Sequence, residues 1–124
     1  MKYSKNETKK INEKEKFDLQ ECFTLWIHKA KSGLNYLTGY DFNKNRLVGF
    51  YNQKKTDKQP LIRIFDLKED GSTGEEIITL WEAISKQENK YLNGVTNENE
   101  KIIAFFGDET DEVRPYIKGY FKKD

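Results

Sequence analysis

Between residues 21 and 28, apolar and polar side chains alternate: Phe23, Leu25 and Ile27 fall on one side of an extended chain, and Cys22, Thr24, Trp26 and His28 on the other. A period of two marks a strand with one face buried. The pattern resumes at 35–41, where Tyr36, Thr38 and Tyr40 oppose Leu37 and Gly39. Residues 46–51 and 101–106 are short, strongly apolar runs. Residues 61–67 and 116–121 follow Pro60 and Pro115, which suit the start of a strand and not its middle. Polar segments separate these runs at 31–33, 42–45, 53–59, 96–99 and 108–113, and at 68–74, where Asp70-Gly71 predicts a turn. Residues 76–86 are ambiguous alone, because Glu75, Glu76, Glu82 and Ala83 also suit a helix.

A repeat bears on that ambiguity. Thr24-Leu25-Trp26 recurs as Thr79-Leu80-Trp81, and a spacing of 55 persists without a gap for about 45 residues. Trp26/Trp81, Tyr36/Tyr91, Leu37/Leu92, Gly39/Gly94, Phe50/Phe105, Pro60/Pro115 and Ile62/Ile117 are identical, and Arg46/Lys101 and Arg63/Lys118 keep their charge. If 24–27 is a strand, 79–82 should be one too; a short helix at 76–86, or near the N-terminus, is the alternative.

The chain is therefore expected to be all-β, with two duplicated four-stranded antiparallel units at 21–67 and 76–124, a linker at 68–75 and a mobile charged tail at 1–20. A unit of about 47 residues is near the size below which an isolated domain buries too little surface. The two should share one core, a sandwich or a barrel, centred on the paired tryptophans. Glycine inside a strand marks a bulge or a close crossing, and the tryptophan of each copy is the neighbour expected to cover Gly39 or Gly94.

Hydrophobic and charged residues each make up 35% of the chain, which predicts a small core, a heavily solvated surface and a tendency to homo-oligomerise. Residues 1–67 hold 14 Lys/Arg against 8 Asp/Glu, while 68–124 hold 8 against 13. Opposite charges fit packing of one half on the other, head-to-tail association, or a basic surface aimed at an anion. A single cysteine, Cys22, excludes an intrachain disulfide. With no apolar leader or membrane-length run, a cytoplasmic location without membrane contact is expected.

Catalytic motifs are lacking. His28 and Cys22 are six residues apart on one strand, roughly 20 Å at about 3.3 Å per residue, too far for a nucleophile pair; a half-exposed histidine and a small buried cysteine are expected instead. Asp108, Glu109, Asp111 and Glu112 lack calcium-loop spacing, and no phosphate-cradling Gly loop, Gly-x-Ser-x-Gly or Cys-x-x-Cys occurs. A non-enzymatic protein without cofactor or metal follows.

The fourth strands offer more. Leu61, Arg63 and Phe65 share one face, as do Tyr116, Lys118 and Tyr120, so a base sits between apolar groups in each copy. Tyr36, Tyr40, Lys29, Lys31, Lys44, Arg46, Lys54, Lys55 and Lys58 add rings and positive charge to the first. Aromatic platforms in a basic groove hold single-stranded nucleic acid. The candidate contacts are Lys29, Lys31, Tyr36, Tyr40, Arg46, Lys54, Lys55, Arg63, Phe65, Tyr116, Lys118 and Tyr120. Long basic side chains lying across an apolar face are the ordinary competing account. The second functional expectation is a protein-binding or self-assembling module, of inhibitor or adaptor type, that uses its oppositely charged halves.

Leu25-Trp26, Tyr36-Leu37-Thr38-Gly39, Val48-Gly49-Phe50-Tyr51-Asn52 and Pro60-Leu61-Ile62-Arg63 together resemble short, mostly uncharacterised proteins of bacteriophages and mobile elements that carry one Trp-led β-unit. The resemblance covers each repeat but not the tail, and the second copy departs from it at Asn93 and Gly107. It implies a bacterial or phage accessory protein and transfers no site residue.

Overall fold

A computed structural model describes residues 20–122, in which the alternating segments form eight strands: β1 (Gln20–Lys29), β2 (Asn35–Asp41), β3 (Arg46–Tyr51), β4 (Ile62–Leu67), β5 (Thr73–Ile84), β6 (Lys90–Thr96), β7 (Lys101–Phe106) and β8 (Ile117–Phe121). Each pairs antiparallel with the next, and β8 pairs with β1, so the sheet closes as a barrel without an edge. Residues 1–19 of the expected tail lie outside the described residues.

The ambiguous 76–86 segment is strand as far as Ile84. Lys68 N donates to Ser72 O and Gly71 N to Lys68 O, closing a tight hairpin that lets β5 start at Thr73. The stretch expected to link the halves at 68–75 is correspondingly shorter.

Phe23, Leu25, Leu37, Leu47, Ile62, Ile64, Ile78, Leu80, Leu92, Ile102 and Ile117 are buried in the core. An eight-stranded barrel is just wide enough to be filled by such side chains, and each large one contributes roughly 1.5–3 kcal/mol on burial. Ile27, Tyr51, Leu61, Phe106 and Tyr116 pack against this core. Burial, then the proximity of Tyr116, pushes the Tyr51 phenol up to about 12.

The core is not centred on the indoles. With Leu25 and Leu80 inside, a period of two forces Trp26 and Trp81 outward, where both are half-buried. Trp26 Nε1 donates to Val113 O at 3.1 Å and Trp81 Nε1 to Lys58 O at 3.0 Å. The loop at 107–116 thus folds against β1, and the loop at 52–61 against β5. Nor does tryptophan cover the strand glycines. A Cβ on Gly39 would lie 1.8 Å from Thr24 O, and one on Gly94 would lie 2.1 Å from Thr79 O. The neighbouring strand's backbone is what crosses there.

Four strands of a closed eight-strand order amount to half a turn about the barrel axis, so β1 and β5 stand on opposite walls. Contacts recur at the spacing of 55. Leu61 N donates to Leu80 O as Tyr116 N does to Leu25 O, and Phe42 N to Cys22 O as Asn97 N does to Ile77 O. Lys44 and Asn99 share a left-handed backbone (φ 66° and 67°), as do Gly33 and Glu88 (φ 88° and 65°). Glu88 bears the steric cost that Gly33 escapes. Glu88→Gly should therefore raise unfolding free energy by about 0.5–1 kcal/mol, after the added chain entropy of glycine is subtracted. The urea midpoint checks this, and an unchanged or lower midpoint refutes it.

Candidate nucleic-acid interface

With the lumen filled, binding chemistry is confined to the outer wall and the rims. Pairing registers place His28 beside Tyr36, Tyr36 beside Phe50 and Phe50 beside Arg63. A second row runs Thr24, Tyr40, Arg46. The His28 and Tyr36 rings stack at 5.2 Å, and Phe50 lies 5.9 Å from Phe65. His28 Nε2 and the Thr38 hydroxyl hydrogen-bond at 2.6 Å. Tyr40 is 51% exposed and Phe50 41%.

The wall therefore brings together Tyr36, Tyr40, Arg46, Arg63 and Phe65, with Lys29 at the end of β1 and Lys31 in the adjoining turn. Lys54 and Lys55 sit in the loop that reaches toward β5. Lys118 and Tyr120 lie on the far side of β1, in β8. Tyr116 does not join them, because its backbone is held to Leu25 and its ring packs 5.6 Å from Phe106 against the core.

The two fourth-strand bases prove to be tied at the seams between halves. Arg63 Nη1 is 3.0 and 3.2 Å from the two carboxylate oxygens of Glu76, and the Thr79 hydroxyl donates to Glu76 Oε2 at 2.7 Å. Lys118 Nζ is 3.5 Å from Glu21 Oε2, to which the Thr24 hydroxyl donates at 3.3 Å. A carboxylate facing each base reduces the charge it offers to a phosphate. The partners were missed because they lie on other strands, yet Thr24/Thr79 and Glu21/Glu76 recur at the same spacing as the bases. Phe50 and Trp26 were also missed as wall residues, although an outward parity in each strand was their signal, and Phe42 was missed in the turn that follows β2.

The acidic loop also meets the basic strand. His28, Lys29 and Asn35 face Glu109, Asp111 and Glu112 across a cavity of about 660 Å³. Part of the charge difference between halves is thus met within the chain. Asp108 Oδ1 accepts from the Thr110 hydroxyl and amide, and Asp111 Oδ1 from the Arg114 and Val113 amides. These bonds hold both carboxyls below the ordinary aspartate range and fix the loop. Among the described residues, no three His, Cys, Asp or Glu side chains gather as a metal site.

A register shift between Glu21 and Phe23 accompanies the burial of Cys22, which is 2% exposed. Burial foremost, then the charges of Asp41 and Glu100, pushes its thiol up to about 12. Because the folded value is raised, its stabilising effect is complete below the ordinary thiol range and is lost as pH climbs toward 12. Folding stability should accordingly fall between about pH 9 and 12. The fall should be shallower in Cys22→Ala, as pH-dependent urea midpoints would show; equal slopes would remove Cys22 as a cause.

No family model, curated protein or solved structure matches this chain.

Proposed function

We propose that the protein is a non-catalytic module that binds single-stranded nucleic acid on the outer wall formed by β1 to β4. The observation that carries this reading is the adjacent outward register of Tyr36, Phe50, Tyr40 and Arg46, with exposed rings beside a base that has no ion pair among the described residues. Unpaired bases stack on such rings whatever their sequence, and the backbone follows the positive charge. Lys29, Lys31, Lys44, Lys54 and Lys55 supply further charge at the rims. Arg63 and Lys118 contribute less, because Glu76 and Glu21 face them. Outward Arg46, Arg63, Lys101 and Lys118 also oppose a lipid-facing role, for which a barrel wall must be apolar.

Anisotropy of labelled 12-nucleotide DNA and RNA tests the proposal. Single strands should bind more tightly than duplexes. With four phosphates neutralised, affinity should drop several-hundred-fold for a tenfold rise in salt, at about 0.7 per phosphate. A single strand that fails to bind at low salt would discard the reading.

The same proposal takes the two halves as copies of one unit, supported by the 55-residue register and the paired contacts of the seams. The motif resemblance adds a bacteriophage or mobile-element setting. A protein partner is the second reading, favoured by Leu34, Ile84 and Val113, which are exposed at the end of the barrel that carries the two long loops. Light scattering should then show self-association, and a monomer at every concentration would argue against the self-assembling form.

A further inference from the structure

Two depressions, of about 450 and 360 Å³, indent the outer wall and share Trp26 and Tyr40. The first extends to Phe42 and Lys44 in the turn after β2, and the second to His28, Thr38 and Arg46. Both fall at the small end of the range for ligand sites. The opposite wall carries a counterpart of the second, about 400 Å³, bordered by Trp81, Asn93, Val95 and Lys101.

Comparing the walls separates what the barrel needs from what it does not. Trp26/Trp81 and Arg46/Lys101 are retained. Tyr40, Phe42, Lys44 and His28 are replaced across the barrel by Val95, Asn97, Asn99 and Ala83, and all four border the paired depressions. Val95 holds the position of Tyr40 in an equivalent strand pair, so packing alone does not call for a half-exposed phenol. Lys44 has the backbone of Asn99, so the turn does not call for a lysine.

We infer that the depressions beside Tyr40 are two successive base subsites of one strand, with the Tyr40 ring stacked on by bases and Lys44 and Arg46 set at the flanking phosphates. This rests on the single-strand reading above. Two acids border the first depression, and both are engaged. Glu21 faces Lys118, while Asp41 accepts from the Asn43 and Asn45 amides and from Asn45 Nδ2. Lys44 offsets the charge that Asp41 keeps, and Arg46 supplies the net positive charge in the second depression, whose border holds no acid.

The test titrates labelled dT12 and rU12 onto the full chain and onto Tyr40→Val, Tyr40→Phe and Lys44→Asn, two of which copy the opposite wall. Losing one stacking platform should raise Kd about 5- to 150-fold in Tyr40→Val and under about threefold in Tyr40→Phe, whose ring remains. Lys44→Asn should weaken binding and reduce the salt slope by about 0.7. In a Trp81→Phe background, the remaining emission comes from Trp26 and should be quenched on binding. If the wild type binds but Tyr40→Val and Lys44→Asn bind equally well, the subsites are wrong and the outer-wall reading stands. Equal losses in Tyr40→Val and Tyr40→Phe would assign the hydroxyl and not the ring, which overturns the inference. A wild type that binds neither strand removes both readings.

Discussion

Replacing Gly119 with isoleucine is expected to destroy the barrel, and replacing Phe23 with isoleucine in the same chain to restore it. Among the differences between the two seams, an inward pair stands out. At the β4–β5 seam Ile64 faces Ile78, whereas at the β8–β1 seam Gly119 faces Phe23, the equivalent positions at a spacing of 55. All three large side chains are buried. A Cβ on Gly119 would lie 2.1 Å from Phe23 Cε1, and a ring enclosed in a filled core cannot swing away. Overpacking ordinarily costs about 1–3 kcal/mol; a branched side chain driven into the ring should exceed about 4 kcal/mol, a large part of the 5–15 kcal/mol typical of a domain. With Phe23→Ile as well, the seam acquires the Ile–Ile pair that the other already accommodates. Urea unfolding followed by circular dichroism would show a low or absent midpoint for the single variant and recovery of most of the loss in the double. A double variant no better than the single would mean that the seams are not interchangeable.

Gly39→Ala and Gly94→Ala should be as damaging and beyond rescue by any side-chain change. At these positions the obstacle is main chain: Thr24 O or Thr79 O would sit about 2 Å from the new methyl group. Gly39 pairs with Leu25 and Gly94 with Leu80, so relief requires pulling β2 from β1 or β6 from β5. We expect losses above about 3 kcal/mol, larger than an ordinary glycine-to-alanine change in a strand. Gly49→Ala is the control. Its Cβ would meet Leu37 Cβ at 3.3 Å, a contact relieved by a shift of a few tenths of an ångström, and alanine already occupies the matching position 104. Thermal midpoints should thus fall sharply for the first two and by only a few degrees for the third. Similar midpoints for all three would refute the backbone explanation.

Much of the fold is legible in the order of residues. Period two locates the strands, the prolines place the start of β4 and β8, and Trp81 decides for strand where Glu76 and Glu82 suggest helix. Less of the candidate interface is legible. Tyr36 and Tyr40 can be assigned to one face, because parity within a strand is local, whereas Arg46 joins them only through the register of β2 with β3. Tyr116 stands apart from them, since whether a ring at a strand's edge turns over the core depends on what fills that end. Arg63 and Lys118 look available in sequence because their carboxylates come from strands that a composition count cannot bring near.

The sequence by itself determined the strand segments and their antiparallel order, because each is a property of neighbouring residues. Only the tertiary structure decided that the sheet closes, that the indoles face outward beneath loops from the opposite half, and that glutamates answer the bases at both seams. Closure joins β8 to β1 across nearly the whole described chain. Such a contact depends on accumulated twist and on the volume packed inside, neither of which any short window of sequence contains.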